Sequence, residues 1–322
     1  MTAVQDNTIG TFDRYQQITN RIIEALQSGT PPWNRPWRMT RPMNAISKRP
    51  YQSVNRLLLE LRVQEAGFRS NRWITYTAAQ EAGGHVNRGE RGTAVIFYKP
   101  IERLKAQSAG GDHGDTWEIV SDNRPSRLFV RSYTLFNLEQ TSGLEALYEP
   151  PCVVDERQTA HDAWALLNSQ GATIQYGGHA AAYVPRLDEI WLPSPSEFHS
   201  ASDFFGTAFH ELGHWTGAVH RVNRTMGRFG DLRYAYEELV AELTAAFLLG
   251  EVELPIQTVN TAAYLKSWLE LLANDASAII TATRDAQRAA DYVCGRILEP
   301  GATDQPQRCL PTRVQEQSQC SN

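Results

Sequence analysis

The sequence predicts an α+β protein in two domains, and three observations point there. Stretches with helical apolar spacing alternate with short β-rich runs. Charge divides along the chain: residues 1–150 hold 19 Lys+Arg against 15 Asp+Glu, a balance of +4, while residues 151–322 hold 12 against 21, a balance of −9. Between them, Pro150-Pro151 in the segment Glu145 to Val153 reads as a linker. The expected division is an α/β domain over 1–148, a mainly helical domain with a small sheet over 149–298, and a tail over 299–322.

Composition bounds the rest. At 322 residues, 42% hydrophobic and 21% charged, the chain can bury a sizeable core, and no apolar run approaches the ~20 residues of a membrane span. The start, MTAVQDNTIG, lacks the basic and apolar regions of a signal peptide, so a cytoplasmic location is expected. Cys152, Cys294, Cys309 and Cys320 are too few and too scattered for a disulfide framework and read as reduced thiols.

In the first half, Tyr15, Ile18, Ile22 and Leu26 recur at helical spacing, and Ser28-Gly29-Thr30-Pro31-Pro32 stops that helix. The prolines of PPWNRPWR impose an extended segment. Ser53 is placed to cap a helix through Asn55 to Val63. Phe68 to Trp73 leads into a short strand, Thr77 is placed to cap a helix over Ala78 to Glu81, and GGHVNRGERG precedes the β-rich run Thr93 to Lys99. Ser108 to Arg127 reads as a loop or as a strand interrupted by an exposed insertion, and Leu128 to Leu138 returns to strand chemistry.

This half also interleaves aromatics with cations. Over residues 14–105, 16 basic residues stand against 6 acidic ones. Trp33, Arg35, Trp37, Arg38, Lys48, Arg49, Tyr51, Asn55, Arg72, Trp73, Arg88, Arg91 and Lys99 form the candidate set for single-stranded DNA. Unstacked bases lie on aromatic faces while guanidinium and ammonium groups take the phosphates. A solvated basic face, or tryptophans that simply fill a core, is the competing account.

In the second half, Thr159 to Ser169 reads as a helix, and the β-like runs Ala180 to Val184 and Glu189 to Leu192 precede TAFHELGHWT, Thr207 to Thr216. On a helix, His210 and His214 lie one turn apart and can grip one metal ion, with Glu211 placed to take a proton from water. Two candidates compete for the third ligand. His220 extends the motif to HExxHxxGxxH, and Met226 follows it. Glu238 and Glu242 share a face of a helix from Glu237 to Leu249, closed by Gly250; there Glu238 could ligate while Glu242 orients an imidazole, and Glu237 suits a helix N-terminus. The expected cofactor is one Zn2+, or another divalent ion such as Mn2+. Thr261 to Ala273 and Ala276 to Val293 read as two further helices, and the polar stretch beyond Glu299 as a tail unable to order itself.

PWNRPW, YQSVN, NRWITYTAAQEAGG, NRGERGTAVIFYK, YTLFNLEQ, HELGHWTG with Arg221 and Arg224 after it, and EELVAE together resemble the ArdC family of plasmid antirestriction proteins, and are similar to the N-terminal part of some conjugative-plasmid primases. The resemblance spans nearly all of residues 10–295. It implies a single-stranded DNA-binding domain joined to a zincin-like metallopeptidase domain, a role protecting incoming plasmid DNA from host restriction, and a carboxylate at Glu238. Host restriction subunits or other DNA-bound proteins are the expected substrates. A DNA-coating protein with a structural metal and a metallopeptidase toxin are the alternatives.

Overall fold

The structure, a computed structural model, describes residues 11–29, 31–35, 40–100, 118–120, 128–148, 156–225, 227, 231–256 and 261–296. The expected linker from 149 and the expected tail lie outside them. Among the described residues no helix is long and apolar enough to cross a membrane.

Helix α1 (Thr11–Gln27) buries Ile22 and Leu26. After strand β1 (Met43–Asn44), helix α2 (Ser53–Ala66) starts at Ser53 itself, with Gln52 in the cap position, and stops at Gly67, whose φ of 69° suits glycine. Strand β2 (Arg72–Thr75) runs into α3 (Tyr76–Glu81). Thr75, rather than the expected Thr77, caps it, accepting the Ala78 N–H at 3.2 Å. Strands β3 (His85–Val86), β4 (Thr93–Pro100), β5 (Glu118–Val120), β6 (Leu128–Asn137) and β7 (Thr141–Ser142) follow. The main sheet runs β1-β2-β6-β4, with β5 also on β6, while β3 pairs β7 separately. Tyr51, Leu59, Val63 and Trp73 form a core with Val95 and Leu135 of this sheet. The outer strand β4 is closed from the side by Asn55, whose amide donates to the Ile96 carbonyl at 2.6 Å and accepts the Ile96 N–H at 2.8 Å.

The second half begins with α4 (Glu156–Leu167) and a three-stranded sheet of order β8-β10-β9: β8 (Thr173–Tyr176), β9 (Ala182–Val184) and β10 (Glu189–Leu192). The expected strand pair is β9 with β10; β8, on the far side of β10 and parallel to it, is a strand beyond those expected. Helices α5 (Ala201–Thr216), α6 (Leu232–Glu251), α7 (Thr261–Asn274) and α8 (Ala278–Val293) complete the fold. Helix α6 starts at a cap from Asp231, not at Glu237, so Glu237 and Glu238 lie inside it. Gly250 is also inside it: a β-carbon there would come within 2.2 Å of the Arg56 Nη2.

One apolar cluster joins the halves, since Ile22, Leu26, Trp33 and Leu57 pack in the same core as Phe209, Leu239, Trp268 and Ile279. Trp33 meets Trp268 edge-on at 5.6 Å. Arg56, 1% exposed, crosses the junction to donate to the Phe247 carbonyl at 3.1 Å and to reach Glu251 at 3.3 Å. Arg41 and Arg296 also pair with Glu251. The three guanidiniums outweigh burial and hold the Glu251 carboxyl below its ordinary range.

Candidate metal centre

Ser200 caps α5 by accepting the Asp203 N–H, and the apolar face of Phe205, Phe209 and Leu212 turns into the core. That leaves His210 and His214 facing α6. Gly213 lets the helices approach: a β-carbon on it would stand 3.1 Å from the Ala241 Cα and 3.3 Å from the Thr244 Cβ. At this separation Glu238 reaches both imidazoles. The two Nε2 atoms are 3.2 Å apart, with Glu238 Oε2 3.3 Å from that of His210 and Glu238 Oε1 3.5 Å from that of His214.

These residues fit a divalent ion. One donor atom from each of His210, His214 and Glu238 falls within 4.8 Å of the others. Ligands ~2.0–2.1 Å from a tetrahedral ion stand roughly 3.3–3.4 Å apart, close to the spacings seen. Glu238 Oε2, buried, has no hydrogen-bond partner despite lying 3.3 Å from the His210 Nε2. An ion between them would satisfy it.

The outer nitrogens are held in the manner expected of ligating imidazoles. Glu242 Oε2 lies 3.2 Å from His210 Nδ1, and Glu237 Oε1 lies 3.4 Å from His214 Nδ1. Glu237 is held in turn by Arg224, whose Nη2 donates to its Oε1 at 2.7 Å and whose Nε donates to its Oε2 at 3.1 Å. The same arginine donates to Thr216 Oγ1 and to the Gly213 carbonyl. Burial opposes the charged form of His210, yet the carboxylates of Glu238 and Glu242 beside it overcome this and push its pKa up to about 10. His214 is likewise raised, by Glu237 and Glu238 against burial. Glu238 is held well below the ordinary carboxylate range: burial opposes this, and the two histidines outweigh it.

Glu211, 9% exposed, turns toward the small sheet, where its Oε2 accepts the Tyr183 N–H at 2.7 Å. Tyr183 lies on β9, an outer strand. His220 stands apart from the imidazole pair. Exposed, it accepts a hydrogen bond from Arg221 at 2.6 Å and lies 3.4 Å from Asp188. Arg221 also pairs with Asp188 and lies 3.8 Å over the Trp215 ring, tying the β9–β10 turn to the end of α5. Met226 lies outside the described residues.

Six of the thirteen candidate DNA residues are buried. Trp33 is 1% exposed and Trp73 0%, the latter donating its indole N–H to Asn71 at 2.8 Å. Arg35, 3.8 Å from Glu60, is buried, as are Arg72 and Tyr51, and Asn55 closes β4. These six, expected to meet DNA, lie buried in the framework of the fold. Lys48, Arg49, Arg88 and Arg91 are exposed. Trp37, Arg38 and the Lys99 side chain lie outside the described residues.

Spacing alone misses Glu237 and Arg224 as supports of His214, since both depend on where α6 begins. It also misses Tyr234 and Tyr264. Tyr234 is one turn before Glu238 on α6, and its hydroxyl is 3.4 Å from that of Tyr264. Burial, then the Tyr264 hydroxyl and Glu238, push the Tyr234 phenol up, so it stays a protonated donor at neutral pH.

Comparison with known proteins matches both halves. Residues 12–136 match the family described as the N-terminal domain of anti-restriction factor ArdC, and residues 161–285 match a zincin-like metallopeptidase family. The chain is 35% identical over 291 residues to the uncharacterized protein y4eC of Sinorhizobium fredii, covering 87% of this chain and 91% of that one. It is 35% identical over 294 residues to the DNA primase TraC of Escherichia coli, of which it spans only 27%. Among solved structures it is similar to the metal-free antirestriction protein ArdC of plasmid R388, with TM-score 0.70, 33% identity and coverage of 88% of this chain and 98% of that one. The Mn(II)-bound form of that protein gives TM-score 0.69 at 32% identity, with the same coverage.

Proposed function

We propose, from the premise that this chain belongs to the ArdC family of antirestriction proteins, that it binds single-stranded DNA through its first half and hydrolyses peptide bonds in DNA-bound proteins through its second. The observation that carries the peptidase reading is the convergence of His210, His214 and Glu238, with a carboxylate behind each imidazole and Glu211 beside them. A divalent ion held by these three, zinc or manganese, would polarise a carbonyl and lower the pKa of a water toward ~7. Glu211 takes the proton of the attacking water and returns it to the leaving amine. The Tyr183 N–H fixes one Glu211 oxygen and leaves the other for that transfer. As an outer strand beside Glu211, β9 offers an edge for an extended substrate chain.

For DNA, the exposed cations Lys48, Arg49, Arg88 and Arg91 support contact with phosphates. The shared core makes the two halves one body, so a protein on the bound strand meets the metal centre at a set offset. Fragments of host restriction subunits should appear when the subunits are incubated on single-stranded DNA with the metal-loaded protein, and vanish with Glu211→Gln. Intact subunits under every metal tried would reject hydrolysis. Full antirestriction by Glu211→Gln would leave DNA coating as the function.

A further inference from the structure

Two phenols lie beside the metal centre. Tyr234 shares a face of α6 with Glu238 one turn later. Tyr264, on α7, faces it with the hydroxyls 3.4 Å apart. Both interact with the Glu238 carboxylate. Neither ring is closed off from solvent.

The pair is braced from behind. Tyr264 stacks on Trp268 at 5.9 Å, Trp268 donates its indole N–H to the Ala235 carbonyl at 3.1 Å, and Trp33 packs edge-on against Trp268. The phenol of Tyr183, by contrast, is already engaged with Asp188 and Arg221.

We propose that Tyr234, steadied by Tyr264, donates the hydrogen bond that stabilises a peptide carbonyl oxygen as it becomes an oxyanion. This rests on the peptidase reading. The water oxygen bonds to the carbonyl carbon while its proton passes to Glu211, and the C=O π pair moves onto oxygen. There the phenol O–H meets the new charge without surrendering its proton. When the C–N bond breaks, the pair returns to form C=O, Glu211 gives its proton to the amine, and the new carboxyl ionises.

The test uses the full chain loaded with zinc and N-phosphoryl-leucinamide, whose phosphoryl oxygens imitate the tetrahedral oxyanion. Tyr234→Phe should keep its zinc content and thermal midpoint but lose about tenfold to a hundredfold in affinity for this probe by calorimetry, with kcat falling and KM little changed. Tyr264→Phe should lose less, in the same direction. Unchanged probe affinity in Tyr234→Phe, in a protein whose wild type cleaves peptides, overturns the donor role and leaves the peptidase reading standing. Zinc loss in Tyr234→Phe overturns it too, making the phenol a positioning residue for Glu238. A zinc-loaded wild type that neither binds the probe nor cleaves any protein sinks the peptidase reading, and the donor with it.

Discussion

Gly213 and Ala241 set the separation of the two helices that make the metal centre: a β-carbon added at Gly213 would lie 3.1 Å from the Ala241 Cα and 3.2 Å from the Ala241 carbonyl oxygen. Backbone cannot yield as a flexible side chain would. Gly213→Val should push α6 away, costing about 1–3 kcal/mol of stability and weakening zinc binding at least tenfold. Thermal unfolding and zinc titration would check both, and an unaltered zinc affinity would show that the approach at Gly213 does not set the site.

Arg224 and Glu237 are both 4% exposed and bonded to each other at two points. Arg224→Met strands a buried carboxylate beside His214, with an expected loss of about 3–5 kcal/mol. Glu237→Gln keeps the shape without the charge, so it should unfold nearer to wild type while losing roughly tenfold to a hundredfold in metal affinity. Denaturant titration alongside metal titration separates the two effects.

Metal uptake should release protons at neutral pH. The His210 pKa of about 10 in the metal-free protein means that an incoming ion displaces a proton. Affinity should therefore rise with pH from 6 toward 9, and calorimetry in buffers of different ionisation enthalpy would count the protons. Stability runs the other way without metal. The folded pKa is raised above the ordinary 6.5, so the contribution is complete below about 6.5 and fades as pH rises toward 10.

The junction should be sensitive to acid. Glu251 has a lowered folded pKa, so its contribution is present above the ordinary 4.5 and is lost as pH falls through the folded value. Glu251→Gln removes the shared counter-charge of Arg41, Arg56 and Arg296 and should cost about 3 kcal/mol. Urea unfolding at pH 7 and at pH 4 should show the variant losing less on acidification than the wild type.

For DNA, Arg88→Ala with Arg91→Ala should weaken binding to an oligo(dT) strand and flatten the salt slope by about one for each phosphate no longer neutralised. Trp33→Ala should instead lose about 3–5 kcal/mol of stability. Fluorescence anisotropy at several salt concentrations, with melting curves for each variant, would decide.

Much of the centre is legible in the sequence because its logic is local. The imidazole pair and Glu211 follow from the spacing of residues 210–214, and Glu238 with Glu242 from a one-turn repeat. Glu237 is misleading because the start of α6 depends on Asp231, six residues earlier, which makes an expected helix end into an interior position. The aromatic and cationic residues of the first half are harder to place for a different reason. A tryptophan beside an arginine reads alike on a binding face and in a core, and its place depends on a distant partner: Trp268 for Trp33, Ile96 for Asn55, Glu60 for Arg35. The main-sheet strands β2, β4 and β6 announce themselves by β-branched and aromatic runs; β8 carries the same residue types in Thr173, Ile174 and Tyr176 but is mostly exposed, without the apolar face that marks the others.

That Ile22, Leu26, Trp33 and Leu57 are seated among the helices behind the metal centre bears on how such a gene can be cut and spliced. A fragment starting near residue 156 would carry empty sockets open to water and would clump rather than dissolve. The portion that can be grafted onto another polypeptide with its shape intact is both halves together, the extent over which this chain aligns with one stretch of the much longer TraC.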